Sequence, residues 1–305
     1  MSIAVIVPCY NEGPTIAAVV RGFATALPGA SIYVFDNNST DDTVAQAQAA
    51  GAVVRRETRQ GKGNVVNRMF ADVSADAYVL VDGDNTYDPG IAPQMIAALV
   101  RDNLDMVVAS RASTEEEAYR FGHRFGNRLL TGCLTAIFGQ SFTDILSGYR
   151  VFSRRFVKSF PVMSRGFEIE TEFSVHALQL RMPTAELTGA YGARPEGSSS
   201  KLNTYGDGVK ILATILTLFK DERPLAFFGT FCAVLVVTSV GLGIPVILEF
   251  LETGLVPRFP TAILATGLGI LALVSLTCGI ILDNVSKARR EAKRLAYLAI
   301  APVGA

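Results

Sequence analysis

Several residue types are scarce in this 305-residue sequence, and each scarcity excludes a class of protein. Two histidines are too few for a metal site built from several imidazoles. Four cysteines without a CxxC pair argue against a disulfide framework and against a cysteine-based zinc site. Lysine plus arginine equals aspartate plus glutamate at 28 each, so the basic excess that is typical of nucleic-acid-binding proteins is missing. Only 18% of the residues are charged and 50% are hydrophobic, which excludes disorder and indicates a membrane-embedded portion.

Two long stretches without a charged residue account for the hydrophobic excess. They cover 225–248 and 259–282, and each has about the 20 residues that an α-helix needs to cross a bilayer. We therefore predict a transmembrane hairpin over 224–283, with a buried hairpin of core helices as the alternative. Basic residues flank both outer ends of this hairpin, so the positive-inside rule predicts that both termini are cytoplasmic.

The regions on either side of the predicted hairpin are expected to be cytoplasmic as well. Residues 1–202 have an ordinary globular composition and are predicted to form the catalytic domain. Apolar residues at near-helical spacing over 203–223 predict an amphipathic helix in the membrane interface, with an ordinary packed helix as the alternative. Residues 284–305 are predicted to be a basic cytoplasmic tail.

Short apolar runs alternate with helical patterns in the first part of the chain. We predict strands at 3–7, 31–35, 52–55, 77–82 and 105–110, with helices near 14–26, 41–50, 62–73 and 90–101. Near-continuous apolar strands that alternate with helices indicate an α/β fold, with a parallel sheet covered on both faces. Ligands of such sheets bind beyond the carboxyl ends of the strands, so the polar residues that follow the strands are the candidates for a site.

Acidic and amide side chains follow three of these strands. The first strand leads into PCYNEG rather than the dinucleotide fingerprint GxGxxG, and the second into DNNSTD. Gly61-Lys62 lacks the earlier glycine and the following serine or threonine of a P-loop. The fourth ends in Asp82-Gly83-Asp84, whose two carboxylates can turn toward one hard cation such as Mg²⁺ or Mn²⁺. Asp36 and Asn37 could hydrogen-bond the edge of a nucleobase. A plain turn at 82–84 and a helix N-cap at 39–42 are the structural alternatives.

The order of these motifs resembles that of a known family. VPCYNE, DNNSTD, GKGN and DGDNTYDP look like the motifs of family 2 glycosyltransferases, which have the Rossmann-like GT-A fold. SGYRVFSR, GFEIETE and RPEGSSSKL, followed by two apolar stretches, resemble the branch that makes polyprenyl-phosphate sugars, including dolichol-phosphate mannosyltransferases and polyprenyl-phosphate glucosyltransferases. The sequence departs from the usual pattern at Asn37, where an acid is common, and at Thr86, where the mannosyltransferases have glutamine.

The resemblance implies a role for each candidate residue. The nucleotide sugar would be bound by Pro8, Tyr10, Asn11, Glu12, Asp36, Asn37, Lys62, Asp82 and Gly83, and the metal by Asp82 and Asp84. The acceptor phosphate would be bound by Arg111, Arg124, Arg128, Arg194, Ser198 and Lys201. Glu168, Glu170 and Thr86 would contact the sugar or the metal. Those expected to act directly in transfer are Asp84, Arg111, Arg124 and Arg194.

These residues suit one reaction in particular. A polyprenyl phosphate is already ionised and needs no general base, but it does need cations to approach an anionic donor. We therefore expect metal-dependent, inverting transfer from a nucleotide-diphosphate sugar, with UDP-hexose or UDP-GlcNAc favoured over GDP-mannose. The sequence leaves open whether the protein forms a homo-oligomer.

Two other functions are alternatives to this one. A processive polysaccharide synthase would need the tryptophan of its Q/RxxRW motif, and the chain contains no tryptophan. A non-catalytic, membrane-tethered binder of nucleotide sugars is the other alternative, against which the intact pair of aspartates argues.

Overall fold

The computed structural model describes residues 1–111, 131–132, 134–139, 142–162, 169–192, 213 and 215–303. The chain forms two compact units. One consists of Met1–Ile211 together with Ala292–Ala305, and the other of Leu212–Glu291.

The first unit is built around one seven-stranded sheet. Its strands are β1 (Ile3–Cys9), β2 (Ser31–Asp36), β3 (Val53–Arg56), β4 (Ala77–Leu80), β5 (Met106–Arg111), β6 (Arg150–Ser153) and β7 (Thr184–Gly189). Its helices are α1 (Gly13–Ala26), α2 (Thr43–Ala49), α3 (Lys62–Asp72), α4 (Ala92–Arg101), α5 (Arg154–Ser159) and α6 (Ile169–Leu180), with a short 3₁₀ helix at Pro89–Ile91. The strand order is β3-β2-β1-β4-β6-β5-β7, and β6 runs antiparallel to both of its neighbours.

This sheet confirms the predicted α/β fold. The strands and helices predicted for residues 3–110 occur with ends shifted by no more than two residues. Strands β6 and β7 were not predicted. Strand β6 is only four residues long and begins with a fully buried arginine, and β7 is a half-exposed edge strand of mixed polarity, so neither has the apolar run that identified the others.

Alternate residues along the central strands pack into different cores, as expected for a sheet covered on both faces. Val5, Val7 and Val79 join one apolar cluster with residues of α1 and α4. On the other face, Tyr78 contacts the ring of Phe70 on α3, and Phe152 contacts Phe70, Phe156 on α5 and Phe173 on α6. Burial of the strands on both faces fixes their register and thereby the positions of the loops at their ends.

The second unit contains α7 (Pro224–Thr253) and most of α8 (Phe259–Leu298), two long helices that are largely apolar. Each contains an 18-residue stretch of high mean hydropathy, 2.5 in α7 and 2.2 in α8, so both are long and apolar enough to cross a membrane, by length and composition. The buried residues of α8 include Ala265, Ala272, Ser275 and Gly279, and small side chains of this kind allow close approach of neighbouring helices. Ser275 Oγ donates to the carbonyl of Phe228 on α7 at 3.0 Å.

The interfacial helix predicted over 203–223 lies mostly outside the described residues. The described residues of this range are 213 and 215–223, and all of them except Arg223 are helical. Nothing in the structure tests whether this segment lies in a membrane interface, so that assignment stays a prediction.

The C-terminal residues are not an isolated tail. Helix α8 continues to Leu298, and residues from Ala292 onward belong to the first unit. The hydroxyl of Tyr297 donates to Asp105 Oδ2 at 2.8 Å, and Arg155 lies over the Tyr297 ring. The end of the chain thus packs against the sheet-containing unit, which its basic composition did not indicate.

Candidate active site

The candidates that follow β1, β2 and β4 meet at one edge of the sheet. These strands are adjacent and parallel, so their carboxyl ends point the same way. Asn11 N–H donates to Ser39 Oγ at 2.9 Å, and Asn11 Oδ1 accepts from Thr40 N–H at 2.8 Å. Thr15 Oγ1 donates to the carbonyl of Gly83 at 2.7 Å. The three loops, predicted separately, therefore form one hydrogen-bonded site.

The Asp82-Gly83-Asp84 segment is held tightly. Asp84 is buried, and its Oδ1 accepts from Thr86 Oγ1 at 2.6 Å and from Thr86 N–H at 3.3 Å. A Cβ on Gly83 would lie 2.8 Å from Cys9 Sγ, so a larger residue would not fit there without a shift. Thr86, predicted as a contact to sugar or metal, is buried and orients the Asp84 carboxylate.

The side chain of Lys62 connects Asp82 to helix α6, which lies far away in the sequence. Lys62, the first residue of α3, places its Nζ 2.5 Å from Asp82 Oδ1 and 2.5 Å from Glu170 Oε1 in the first turn of α6. Burial would lower the pKa of Lys62, but the charges of Asp82 and Glu170 outweigh this effect and raise it above its usual value. All three residues were candidates from the sequence, and the fold brings them together.

Asn37 serves the loop that leads to this lysine. Its Nδ2 donates to the carbonyls of Glu57 and Arg59, both at 2.8 Å, and its Oδ1 accepts from Gly61 N–H at 2.7 Å. A carboxylate could accept the third of these bonds but could not donate the other two. The departure from an acid at this position therefore has a structural reason, and Asn37 holds the segment 57–61. Its neighbour Asp36 is buried and accepts from Ser39 N–H at 3.2 Å.

The remaining candidates near β1 differ in exposure. Tyr10 is exposed, Pro8 is half-buried, and the backbone of Asn11 has φ of +53°. The carbonyl of Glu12 accepts from Thr15 N–H and Ile16 N–H at the start of α1. These residues line the edge of the sheet beside the acidic segment.

Arg111, predicted to bind the acceptor phosphate, is half of an ion pair. Its Nε and Nη2 contact the two carboxylate oxygens of Asp144 at 2.7 and 2.9 Å, and its guanidinium lies over the ring of Tyr191. Sequence reasoning did not single out Asp144, which lies just before the quoted SGYR motif. The other candidates for this role, and one for the sugar, lie outside the described residues: Arg124, Arg128, Arg194, Ser198, Lys201 and Glu168.

The segment after β7 is attached to the acidic motif. Gly192 N–H donates to the carbonyl of Thr86 at 2.8 Å, and the rings of Tyr191 and Tyr87 lie 5.2 Å apart. The Tyr87 hydroxyl accepts from Gly148 N–H at 3.0 Å. The RPEGSSSKL motif thus begins two residues after a chain segment that is bonded to the residues following Asp84.

The SGYR motif supplies a buried cation that sequence reasoning did not single out. Arg150 is fully buried and donates to the carbonyls of Ile145 and Ser147 and to Ser174 Oγ. Burial lowers the pKa of Arg150 to about 10, so the guanidinium remains charged at neutral pH. The arginine fixes the 144–149 segment, which carries both Asp144 and Gly148.

The residues at 82–84 fit a divalent ion that is shared with a substrate. No group of three or more histidine, cysteine or acidic side chains is arranged to hold a metal within the described part of the chain. Two carboxylates separated by one glycine would leave most coordination positions to water and phosphate oxygens, which is common for Mg²⁺ beside a nucleotide.

The chain is similar to known glycosyltransferases over most of its length. Residues 4–160 match the model for glycosyl transferase family 2. The chain is 32% identical over 292 residues to glycosyltransferase AglJ of Haloferax volcanii, with 95% of each chain covered. It is 25% identical over 210 residues to a dolichol-phosphate mannosyltransferase of Pyrococcus furiosus, covering 65% of this chain and 59% of that one.

A solved structure shares the fold. Glucosyl-3-phosphoglycerate synthase from Mycobacterium tuberculosis, in complex with Mn²⁺, UDP and phosphoglyceric acid, superposes with a TM-score of 0.58 at 25% identity, over 72% of this chain and 78% of that one. Together with the family match and the nearly full-length relative, this similarity shows that the chain belongs to glycosyltransferase family 2 and is a sugar-transferring enzyme with a GT-A fold.

Proposed function

We propose that this enzyme transfers a sugar from a nucleotide-diphosphate sugar to a polyprenyl phosphate. The observation that carries the proposal is the hydrogen bond between Gly192 and Thr86. It ties the acidic segment to Gly192, two residues before the RPEGSSSKL motif, and later in the sequence come two helices that are apolar enough to cross a membrane. A lipid acceptor would explain why a sugar-transfer site and membrane-capable helices occur in one chain. The similarity to a dolichol-phosphate mannosyltransferase supports the same acceptor class.

Asp82 and Asp84 would hold Mg²⁺ or Mn²⁺, which supplies positive charge to the leaving diphosphate when bound. Thr86 orients the Asp84 carboxylate toward this task. Lys62 adds a buried cation at the same place. The related synthase was solved with Mn²⁺ and UDP, which supports both a divalent ion and a uridine nucleotide here. We therefore favour UDP-hexose or UDP-GlcNAc as the donor, with GDP-mannose as the alternative.

Arginines would bring the lipid phosphate to the donor. Fixed guanidinium groups form paired hydrogen bonds with phosphate oxygens and offset the repulsion between two anions. Arg111 is positioned for such a role by Asp144 and Tyr191, although it must share its hydrogen bonds with the carboxylate. Arg124 and Arg194 complete the proposed set.

A product assay tests the proposal directly. Detergent-solubilised protein is incubated with Mn²⁺, a panel of radiolabelled nucleotide sugars, and either undecaprenyl phosphate, dolichyl phosphate or 3-phosphoglycerate. We expect label in the organic extract only when a polyprenyl phosphate is present. Label transferred to 3-phosphoglycerate would instead identify a soluble acceptor. A product that grows to a polymer, or the absence of turnover with every donor, would also contradict the proposal.

Arg194→Ala should raise the KM for polyprenyl phosphate by about tenfold or more, because a charge-assisted contact to phosphate is lost. Arg194→Lys should also impair transfer, since a point charge cannot reproduce paired geometry. Donor affinity, measured by calorimetry on the solubilised protein, should change little. Arg101→Ala is the control, because Arg101 is exposed and pairs only with its neighbour Asp102 among described contacts. Weakened donor binding with an unchanged lipid dependence would instead assign Arg194 to the diphosphate.

Both ends of the helix pair should lie on the cytoplasmic side, because the basic residues flank the pair on its outer sides. Thr253→Cys and Ala292→Cys are introduced separately into a variant that lacks the four native cysteines. In intact cells a membrane-impermeant thiol reagent should label position 253 and should reach position 292 only after permeabilisation. Labelling of position 292 in intact cells would contradict this topology.

A further inference from the structure

Lys62 and Glu170 form an ion pair that is almost completely buried, and the lysine also pairs with the more exposed Asp82. The side chains of Lys62 and Glu170 are 9% and 6% exposed, whereas that of Asp82 is 31% exposed. The lysine is therefore held in the interior by Glu170, and it reaches outward to the accessible carboxylate of the acidic segment.

The position of Lys62 is unfavourable for its own helix. It is the first residue of α3, where the helix dipole disfavours positive charge. The segment before it is fixed by Asn37 through Gly61, whose φ of +126° favours glycine. A cation placed at a helix start by such a constrained loop needs carboxylates to stabilise it, and Asp82 and Glu170 supply them.

Lys62 occupies the side of Asp82 that a metal would need. Its ammonium contacts Oδ1 of Asp82. Oδ2 packs against Gly148, since a Cβ built on that glycine would lie only 2.3 Å from it. Because Lys62 already neutralises this carboxylate, a divalent ion that binds Asp82 competes with the lysine for its charge, and the two positive charges repel each other.

We propose, on the basis of the function proposed above, that Lys62 competes with the metal for Asp82 and is released by the donor's diphosphate. Without nucleotide the lysine neutralises Asp82, and the metal binds weakly. When metal and diphosphate arrive together, Lys62 keeps its bond to Glu170, and the diphosphate provides the negative charge that replaces Asp82. Glu170 is the positioning residue that retains the lysine. Metal and nucleotide thereby strengthen each other's binding.

Binding of Mn²⁺ to the full-length solubilised protein tests this coupling without any turnover. Free Mn²⁺ is followed by electron paramagnetic resonance, with and without UDP. In Lys62→Met we expect Mn²⁺ alone to bind about tenfold more tightly, because a competing cation is gone, and the enhancement by UDP to shrink about tenfold. In Glu170→Gln we expect Mn²⁺ alone to bind several-fold more weakly, because Lys62 loses the charge of Glu170 and pairs more strongly with Asp82.

Three further variants make the test decisive. Removing one charge of a buried pair can unfold a protein. The double variant Lys62→Met with Glu170→Gln is therefore measured as well, because it removes both charges of the pair together. It should resemble Lys62→Met, because the effect of Glu170 acts through the lysine. Arg68→Met removes an exposed cation from the same helix and should change nothing. Asp84→Asn should abolish Mn²⁺ binding in every background.

The outcomes separate this proposal from the proposed function. The competition is refuted if the wild type binds Mn²⁺ and the affinity is unchanged or lowered in Lys62→Met and in the double variant. In that case the metal site itself still stands. A wild type that binds no Mn²⁺ with or without UDP overturns the metal assignment and this proposal together. Opposite shifts in Lys62→Met and Glu170→Gln support the proposal, because loss of a merely structural salt bridge would move both variants in the same direction.

Discussion

Asp84→Asn should reduce sugar transfer roughly a thousandfold, which corresponds to about 4 kcal/mol of activation free energy. The substitution removes the carboxylate charge that would hold the metal at the leaving diphosphate. Because an amide oxygen can still accept from Thr86 Oγ1, the buried hydrogen bond survives and the fold should be preserved. Initial rates at saturating Mn²⁺, together with thermal unfolding, measure both consequences.

Asp82→Asn should have a similar effect on the rate and a larger effect on stability. It leaves the ammonium of Lys62 with Glu170 as its remaining carboxylate in the described network. Asp88→Asn is the matched control, because Asp88 lies in the same DGDNTYDP segment but is exposed and accepts only from Gly90 N–H among described contacts. Full activity of either site variant, or of the wild type in EDTA, would show that the acidic segment is no more than a turn.

Gly148→Ala should lower transfer by roughly a hundredfold while leaving the protein folded, since a small displacement of a reacting group is sufficient for such a loss. A Cβ at this position would lie 2.3 Å from Asp82 Oδ2 and 3.0 Å from its Cγ. The side chain of Asp82 can rotate away more easily than the buried segment that precedes β6 can move. The added methyl group would therefore displace the carboxylate that is predicted to hold the metal.

The measurement that distinguishes this mechanism is the Mn²⁺ dependence of the rate. Gly148→Ala should require a higher Mn²⁺ concentration, and its thermal midpoint should stay near that of the wild type. Gly132→Ala is the control, because a Cβ there would meet no atom of the described residues within 4 Å. Wild-type activity in Gly148→Ala would mean that Asp82 tolerates displacement. A large loss of stability would mean that the backbone moves instead.

Much of the sheet could be predicted because its strands are apolar runs whose pattern is local. Strands β1 to β5 and the polar residues after β1, β2 and β4 follow from that periodicity and from the binding rule for parallel sheets. Strand β6 escaped because it begins with Arg150, whose charge is satisfied by carbonyls that a linear pattern does not reveal. The roles of the candidate residues, as opposed to their positions, stay predictions until the variants above are measured.

The amino-acid order alone was sufficient to derive an α/β sheet, two apolar helices and an acidic segment that suits a divalent ion. It could not indicate that Lys62 meets Glu170 across 108 positions, that Arg111 pairs with Asp144, or that the chain's end packs on Asp105. Those contacts depend on the strand order β4-β6-β5 and on helices that pack against both faces of the sheet. The periodicity of apolar residues depends only on residues that are close in the sequence. The partner of a buried charge depends instead on which distant segments the folded structure brings within hydrogen-bond distance.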